Sequence, residues 1–236
     1  MYVVYLNKKK MLTIITTVVI ILLLLSTWWI LWRQINVPTT AEPYYQGQDN
    51  KKQIAFTFNV DWGQDYLSDM LKTLDENDVK ATFFLTGRWA KKCPDYAKKI
   101  VDGGHEIGNH GLEHKSPNQM NEQENRQDIK TAEKYILDVI GIKTELFAPA
   151  SGERNTQVLK AADGLGYKTI LWSIDTIDWR KDKTPDQIIN KVISKAHNGA
   201  IVLMHPTEAT TLALPGLIKA LKDKGYEIVP VSKILP

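Results

Sequence analysis

Cysteine is nearly absent from this chain of 236 residues: Cys93 stands alone, so no intrachain disulfide can form and the fold must rest on a buried apolar core. Also missing are any long block of charge of one sign, a basic stripe of the kind that tracks nucleic acid, an internal repeat and a low-complexity tract. Nucleic acid is therefore not an expected partner. The most telling absence is local. From Met11 to Trp32, 22 residues pass without one charged side chain, most of them Ile, Leu, Val or Thr. A helix of that length, rising about 1.5 Å per residue, crosses the roughly 30 Å hydrocarbon layer of a bilayer.

The flanks give that segment a direction. Lys8, Lys9 and Lys10 precede it, only Arg33 follows closely, and Trp28, Trp29 and Trp32 gather at its far end. This pattern predicts a cytoplasmic N-terminus (1–10), a single span (11–32) and an extracytoplasmic remainder. A cleaved signal peptide is the alternative, but its apolar core is about 7–15 residues and a small-residue cleavage site follows it. The formal charge of +3 belongs to the flanks: without those four residues, 26 basic side chains face 27 acidic ones. Residues 33–52, with Pro38, Pro43 and Gly47, read as a polar spacer, and 53–236 are enough for one domain with a substantial core.

Within 53–236, short β-rich runs alternate with helical patterns. Strands are expected at 54–59, 81–86, up to Asn109, 145–147, 168–172, 200–204 and 227–231, and helices at 64–77, from Pro94, from Glu122 to Ile140, up to about Leu165, from Pro185 and through Leu217. The run 200–204 is apolar throughout, which suits a strand covered on both faces. Such alternation predicts parallel strands with crossover helices, an α/β fold that gathers strand ends into one pocket. Polar residues with chemistry sit just past those strand ends. Asp61 follows the first, His110 and His114 follow the third, Asp175 and Asp178 lie after the fifth and His205 follows the sixth. Two imidazoles four residues apart can face one way on a helical turn and offer two nitrogens to a divalent ion.

Five strings fall in a recognisable order: IAFTFNVDWG (54–63), GHEIGNHGLEH (104–114), FAPASG (147–152), DTIDW (175–179) and IVLMH (201–205). Together they resemble the five motifs of the polysaccharide deacetylase family, the NodB-homology group of carbohydrate esterase family four, over essentially all of 53–236. The resemblance implies a distorted (β/α) barrel, often of seven strands, and metal-dependent hydrolysis of N-acetyl groups on peptidoglycan or chitin-like polymers. A metal in such a site polarises the acetamide oxygen and lowers the pKa of bound water.

Carried over by motif, Asp61, His110 and His114 resemble the metal ligands, the ion being zinc, cobalt, nickel or manganese. His205 resembles the general acid, with Asp175 or Asp178 holding it, since a neighbouring carboxylate favours the imidazolium that can give up a proton. Leu203 would line the acetyl pocket, and Trp179 and Trp62 offer flat faces to a sugar ring or simply pack the rim. A membrane-anchored outward domain resembles sporulation-type and cell-wall deacetylases of Gram-positive bacteria, so a cell-wall glycan is the expected partner.

Two motifs depart from the family pattern. Where TFDDG is usual, this chain has Asn59, Val60 and Asp61, so an amide occupies the general-base position and cannot take a proton from water near neutrality. Asp61 can be aligned with the metal ligand only by inserting one residue; alternatively Asp61 itself serves as base. Where FRPPYG is usual, Ala148 replaces the Arg that steadies the base and Ser151 replaces an aromatic. The losses are coupled, because an Arg left without its carboxylate would be an unpaired buried charge. Three readings follow: an altered deacetylase, which the retention of His110, His114, the DTIDW string and His205 favours, because polar groups in a pocket are costly without use; a glycan-binding domain that keeps the metal but turns nothing over; and, last, a structural remnant.

Overall fold

The computed structural model describes residues 7–35 and 42–236. The chain divides into two compact units, Met1–Thr39 and Thr40–Pro236. In the first, helix α1 (Lys8–Ile35) carries a window, Lys8–Trp29, of mean hydropathy 2.4 that is long and apolar enough to cross a membrane. The helix is apolar all round rather than along one stripe, which suits a lipid-facing span rather than a helix on a protein core. Trp32, Arg33 and the residues 36–41 of the expected spacer lie where side chains or backbone are outside the described residues.

The second unit is built on parallel strands. These are β1 (Gln53–Val60), β2 (Thr82–Leu85), β3 (Glu106–Asn109), β4 (Leu146–Phe147), β5 (Lys168–Thr169), β6 (Ile174–Asp175), β7 (Ala200–Met204) and β8 (Glu227–Val229). They run in the order β5-β4-β3-β2-β1-β7-β6, and β8 lies against the beginning of β1. β5 and β6 lie five residues apart in the chain: the first pairs with β4 and the second with β7. Residues 168–175 therefore serve both edges of the sheet and curl it into the distorted (β/α) barrel. Helices α2 (Gln64–Glu76), α3 (Gly87–Lys92), α4 (Pro94–Asp102), α5 (Glu122–Ile140), α6 (Thr156–Asp163), α7 (Pro185–Lys195) and α8 (Glu208–Asp223) form the crossovers.

Alternation along β1 decides what faces where. Ile54, Phe56, Phe58 and Val60 point outward into the main core shared with the helices, while Ala55 packs in a separate inner cluster. Thr57, on the inner face, donates its hydroxyl to the Val202 carbonyl at 2.9 Å. Asn59 is next on that face. The helices stop where local chemistry requires it: Asn121 caps α5 in a reciprocal box with Glu124, Thr184 does the same for α7 with Gln187, and Gly141 ends α5 in the left-handed conformation at φ 72°.

Several boundaries differ from expectation. The six residues of α3 went unpredicted, being too few to show a period. The strand expected at 168–172 is reduced to two residues because Leu171 donates instead to Tyr44. Tyr44 and Gln46 make bridges to Ile170 and Ala200, and Gly47 and Gln48 donate to Gly199 and Ile234. The end of the expected spacer is thus bound to the sheet, and the globular unit begins before Gln53.

Two buried features generate measurable expectations. Phe58, fully buried and stacked at 4.8 Å on Phe83, sits in the largest cluster. Phe58→Ala should lower stability by about 3–5 kcal/mol in denaturant unfolding; a loss under about 1 kcal/mol would contradict this placement. His105 accepts the Ala81 amide, and burial lowers its pKa to about 4. The unfolded chain therefore takes up this proton first, so stability falls as pH drops from about 6.5 toward 4. His105→Asn, which keeps an acceptor, should flatten that part of the pH–stability curve, and an unchanged slope would refute the assignment.

Candidate active site and its sugar cleft

A cavity of about 370 Å³ opens at the C-terminal end of the strands, lined by Asn59, Trp62, His114, Ser151, Trp172, Asp175, Trp179, Leu203 and His205. All five strings supply these residues from distant parts of the sequence, the second through His114 alone. Trp172, just after β5, lies outside the strings. Trp62 and Trp179 are exposed on the rim, and the Trp62 ring lies parallel to His205 with centroids 6.2 Å apart. Gly63 makes this approach possible: at φ 81° a Cβ there would stand 2.2 Å from the Pro206 carbonyl, so only glycine lets the loop after β1 meet the loop after β7.

His205 is held firmly. The fully buried carboxylate of Asp178 accepts its ring Nδ1–H at 2.8 Å and its backbone N–H at 2.6 Å, and also the hydroxyl of Thr210 on α8. Asp175 does not touch His205; it accepts the backbone N–H of Ile177 at 2.8 Å and lines the cleft. Between the two carboxylates Ile177 adopts φ 57°, a left-handed conformation that a β-branched residue resists. His114 at φ 54° and Ser151 at φ 55° are strained in the same sense, so three of the four described non-glycine residues with positive φ border this site.

The two motif histidines meet, though not on a helix. His110 and His114 lie in a loop after β3, turned at Gly111 (φ 79°), and their rings contact edge to face with centroids 5.1 Å apart. The loop is fastened from four directions: Asn109 accepts from Gly111, Asp128 on α5 accepts from Leu112, and Gly87 and Arg88 donate to the carbonyls of Gly111 and Leu112. His110 is buried and its Nδ1–H donates to the Ala148 carbonyl at 2.7 Å, which leaves Nε2 as the lone-pair nitrogen. Burial and the neighbouring His114 lower its pKa to about 3, so it stays neutral. Because the backbone of residue 148 makes this bond, the Arg-to-Ala departure leaves it intact.

Asp61 does not join them. Its Oδ1 accepts the Thr86 hydroxyl at 2.7 Å, and one Arg88 nitrogen reaches both carboxylate oxygens at 2.9 and 2.7 Å. It borders a different cavity with Gln64, Arg88 and Lys92. The reason is the strand. β1 pairs with β2 in unbroken register through Val60↔Leu85, so no residue is inserted before Val60, and Asp61 and Trp62, which separate it from Gly63, follow the end of the strand. Read without a gap, Val60 holds the metal-ligand position, and its side chain is buried in the outer core.

Among the described residues, no group of three or more His, Cys, Asp and Glu side chains could hold a metal ion. Two imidazoles without a carboxylate fall short of the three protein ligands that a catalytic zinc site uses. The expected trio of Asp61, His110 and His114 is therefore corrected to a histidine pair, and the residues present do not fit zinc, cobalt, nickel or manganese in the way the motifs implied. Arg88 and Thr86, which capture Asp61, went unremarked in the sequence; a hydroxyl at the end of a predicted strand and a guanidinium just past it were the available signal.

A model of the polysaccharide deacetylase family matches residues 46–170, just over half of the chain. This chain belongs to the polysaccharide deacetylase family. It is 41% identical over 194 residues to the uncharacterized protein YlxY of Bacillus subtilis, covering 82% of this chain and 60% of that one, so it spans less than two thirds of that relative's length. It is 34% identical to a peptidoglycan-N-acetylglucosamine deacetylase of Bacillus cereus, covering 80% of this chain and 70% of that one. The solved structure of BA3943, a CE4 family pseudoenzyme from Bacillus anthracis, superposes with a TM-score of 0.80 at 42% identity, covering 83% of this chain and 69% of that one.

Removing the Asp178 carboxylate would strand the His205 and Thr210 donors in a buried setting. Asp178→Ala should cost about 3 kcal/mol, a fall of about 6–12 °C in Tm for a unit of this size. A change within about 1 °C would show that these hydrogen bonds contribute little.

Proposed function

We propose that this chain is a membrane-anchored, cell-wall-facing member of the polysaccharide deacetylase family that binds N-acetylated glycan in the tryptophan-rimmed cleft and does not hydrolyse it at an appreciable rate. The observation that carries this reading is the captured Asp61: its carboxylate is bonded to Arg88 and Thr86, leaving His110 and His114 without an acidic partner. Asn59 compounds the loss, since an amide in the base position cannot activate water. The similarity to a structure described as a CE4 family pseudoenzyme supports the same conclusion.

What remains suits binding. Leu203 offers an apolar floor for an acetyl methyl group, and the rings of Trp62, Trp172 and Trp179 offer faces on which a sugar can lie. His205, fixed by Asp178, presents its second ring nitrogen for a hydrogen bond. The apolar helix α1 supports tethering, and the three lysines before it favour a cytoplasmic N-terminus with the glycan-binding unit outside.

A second reading is deacetylation itself. The His205–Asp178 pair favours it, because a histidine oriented by a buried carboxylate is the arrangement an acid needs to protonate a departing amine. Acetate release separates the two. Full-length protein in detergent micelles, incubated with N-acetylglucosamine oligomers, should bind them by calorimetry and release no acetate above the buffer rate. Acetate release that disappears in His205→Ala would establish the deacetylase instead, and absence of binding to cell-wall oligomers would overturn the first reading.

A further inference from the structure

We infer that the second cavity, which shares Trp62 with the cleft, binds a carboxylate carried by the glycan, with Arg88 and Lys92 as its two cationic contacts. The inference rests on the glycan-binding reading above and adds that the bound chain must carry negative charge beside the sugar in the cleft.

This cavity, of about 420 Å³, is lined by Asp61, Trp62, Gln64, Arg88 and Lys92 among others. Arg88 and Lys92 stand four residues apart on α3, so they share one face of that helix. Like charges at this spacing repel and weaken a helix unless an anion offsets them. Asp61 offsets only part of this charge. It holds Arg88 through a single nitrogen, Nη2. Among the described residues, the other guanidinium N–H groups and the Lys92 ammonium have no hydrogen-bond or ion-pair partner. Lys91 differs, since its ammonium lies 4.5 Å from the Tyr135 ring. Glu113, a carboxylate close enough to feel Arg88, is itself paired with Lys115 at 2.9 Å.

A binding cation has to be both oriented and reachable. Asp61 orients the Arg88 guanidinium, and the Arg88 side chain is half exposed, so its free edge is open to a ligand. A planar guanidinium matches a carboxylate with two parallel hydrogen bonds, and a lysine nearby adds charge without imposing direction. Trp62 determines where that carboxylate must be. Its ring borders both cavities, so a carboxylate held by Arg88 belongs to the sugar lying on Trp62 or to the next residue of the same chain, rather than to a separate polymer. A lactyl ether on a hexosamine and a uronate both place a carboxylate within such reach. The captured Asp61 thereby gains a use, as the partner that orients Arg88.

Calorimetry on the full-length chain in detergent micelles tests this with three tetrasaccharides: the neutral N-acetylglucosamine tetramer, one alternating N-acetylglucosamine with N-acetylmuramic acid, and one alternating N-acetylglucosamine with glucuronate. At low salt at least one acidic tetramer should bind about tenfold more tightly than the neutral one, and whichever does so names the source of the carboxylate. That advantage should shrink at high salt and vanish in Lys92→Glu, while binding of the neutral tetramer stays unchanged. Lys92 is exposed and has no partner to lose, so this variant keeps the fold. Arg88→Gln, its folding checked by thermal midpoint, should likewise remove the advantage. Equal affinity for all three tetramers, or an advantage that survives Lys92→Glu, overturns the carboxylate site while leaving glycan binding in place. Tighter binding of a glycerol phosphate oligomer than of either acidic tetramer also overturns it, in favour of a phosphate polymer. Binding of none of these ligands overturns both readings.

Discussion

The contact between Asp61 and the Arg88–Thr86 pair governs how this molecule is to be understood. A carboxylate engaged on both oxygens by a guanidinium and on one by a hydroxyl is in a low-energy setting that a metal would have to disrupt. Arg88 is half exposed, so this is not a deeply buried ion pair, and its Coulombic strength is limited by solvent. Direction matters more than strength here. The pairing turns Asp61 toward a neighbouring cavity, away from the His110–His114 pair, and Val60 cannot replace it because strand alternation sends that side chain into the core.

Around that centre, the backbone is strained. Ile177, His114 and Ser151 all keep positive φ angles, and Gly63 still permits the close approach to Pro206. Each strained non-glycine residue costs on the order of 1–3 kcal/mol. The strain is sustained by specific bonds: Asp175 to the Ile177 amide, Asp178 to His205 and Thr210, and four anchors on the histidine loop. A cleft held in shape by these bonds, with an amide at Asn59, fits the binding role proposed above.

Much of this was legible in the sequence because it depends on periodicity and local capping. The apolar run 200–204 became β7 to the residue, Pro185 opened α7, and Glu122–Ile140 formed α5 up to Gly141. The motif order also brought Asn59, His114, Leu203 and His205 to one cavity. What the sequence could not reveal was register and direction. Whether the extra residue near Asp61 fell inside or beyond β1 depends on pairing with β2, a long-range fact, and a one-residue difference reverses the face a side chain occupies. The choice between Asp175 and Asp178 likewise turned on a strained backbone at Ile177 that no local pattern signals. The attachment of Tyr44 and Gln46 to the sheet was hidden because polar, proline-containing sequence reads as linker whether or not it finds partners.

The most direct test of this account is metal retention. Full-length protein loaded with zinc and dialysed against buffer holding free zinc in the nanomolar range should keep far less than one equivalent when its metal content is measured, because among the described residues no third His, Cys, Asp or Glu joins His110 and His114 as a ligand. One equivalent of zinc retained by the native chain, and lost on Asp61→Ala as well as on His110→Ala, would contradict it.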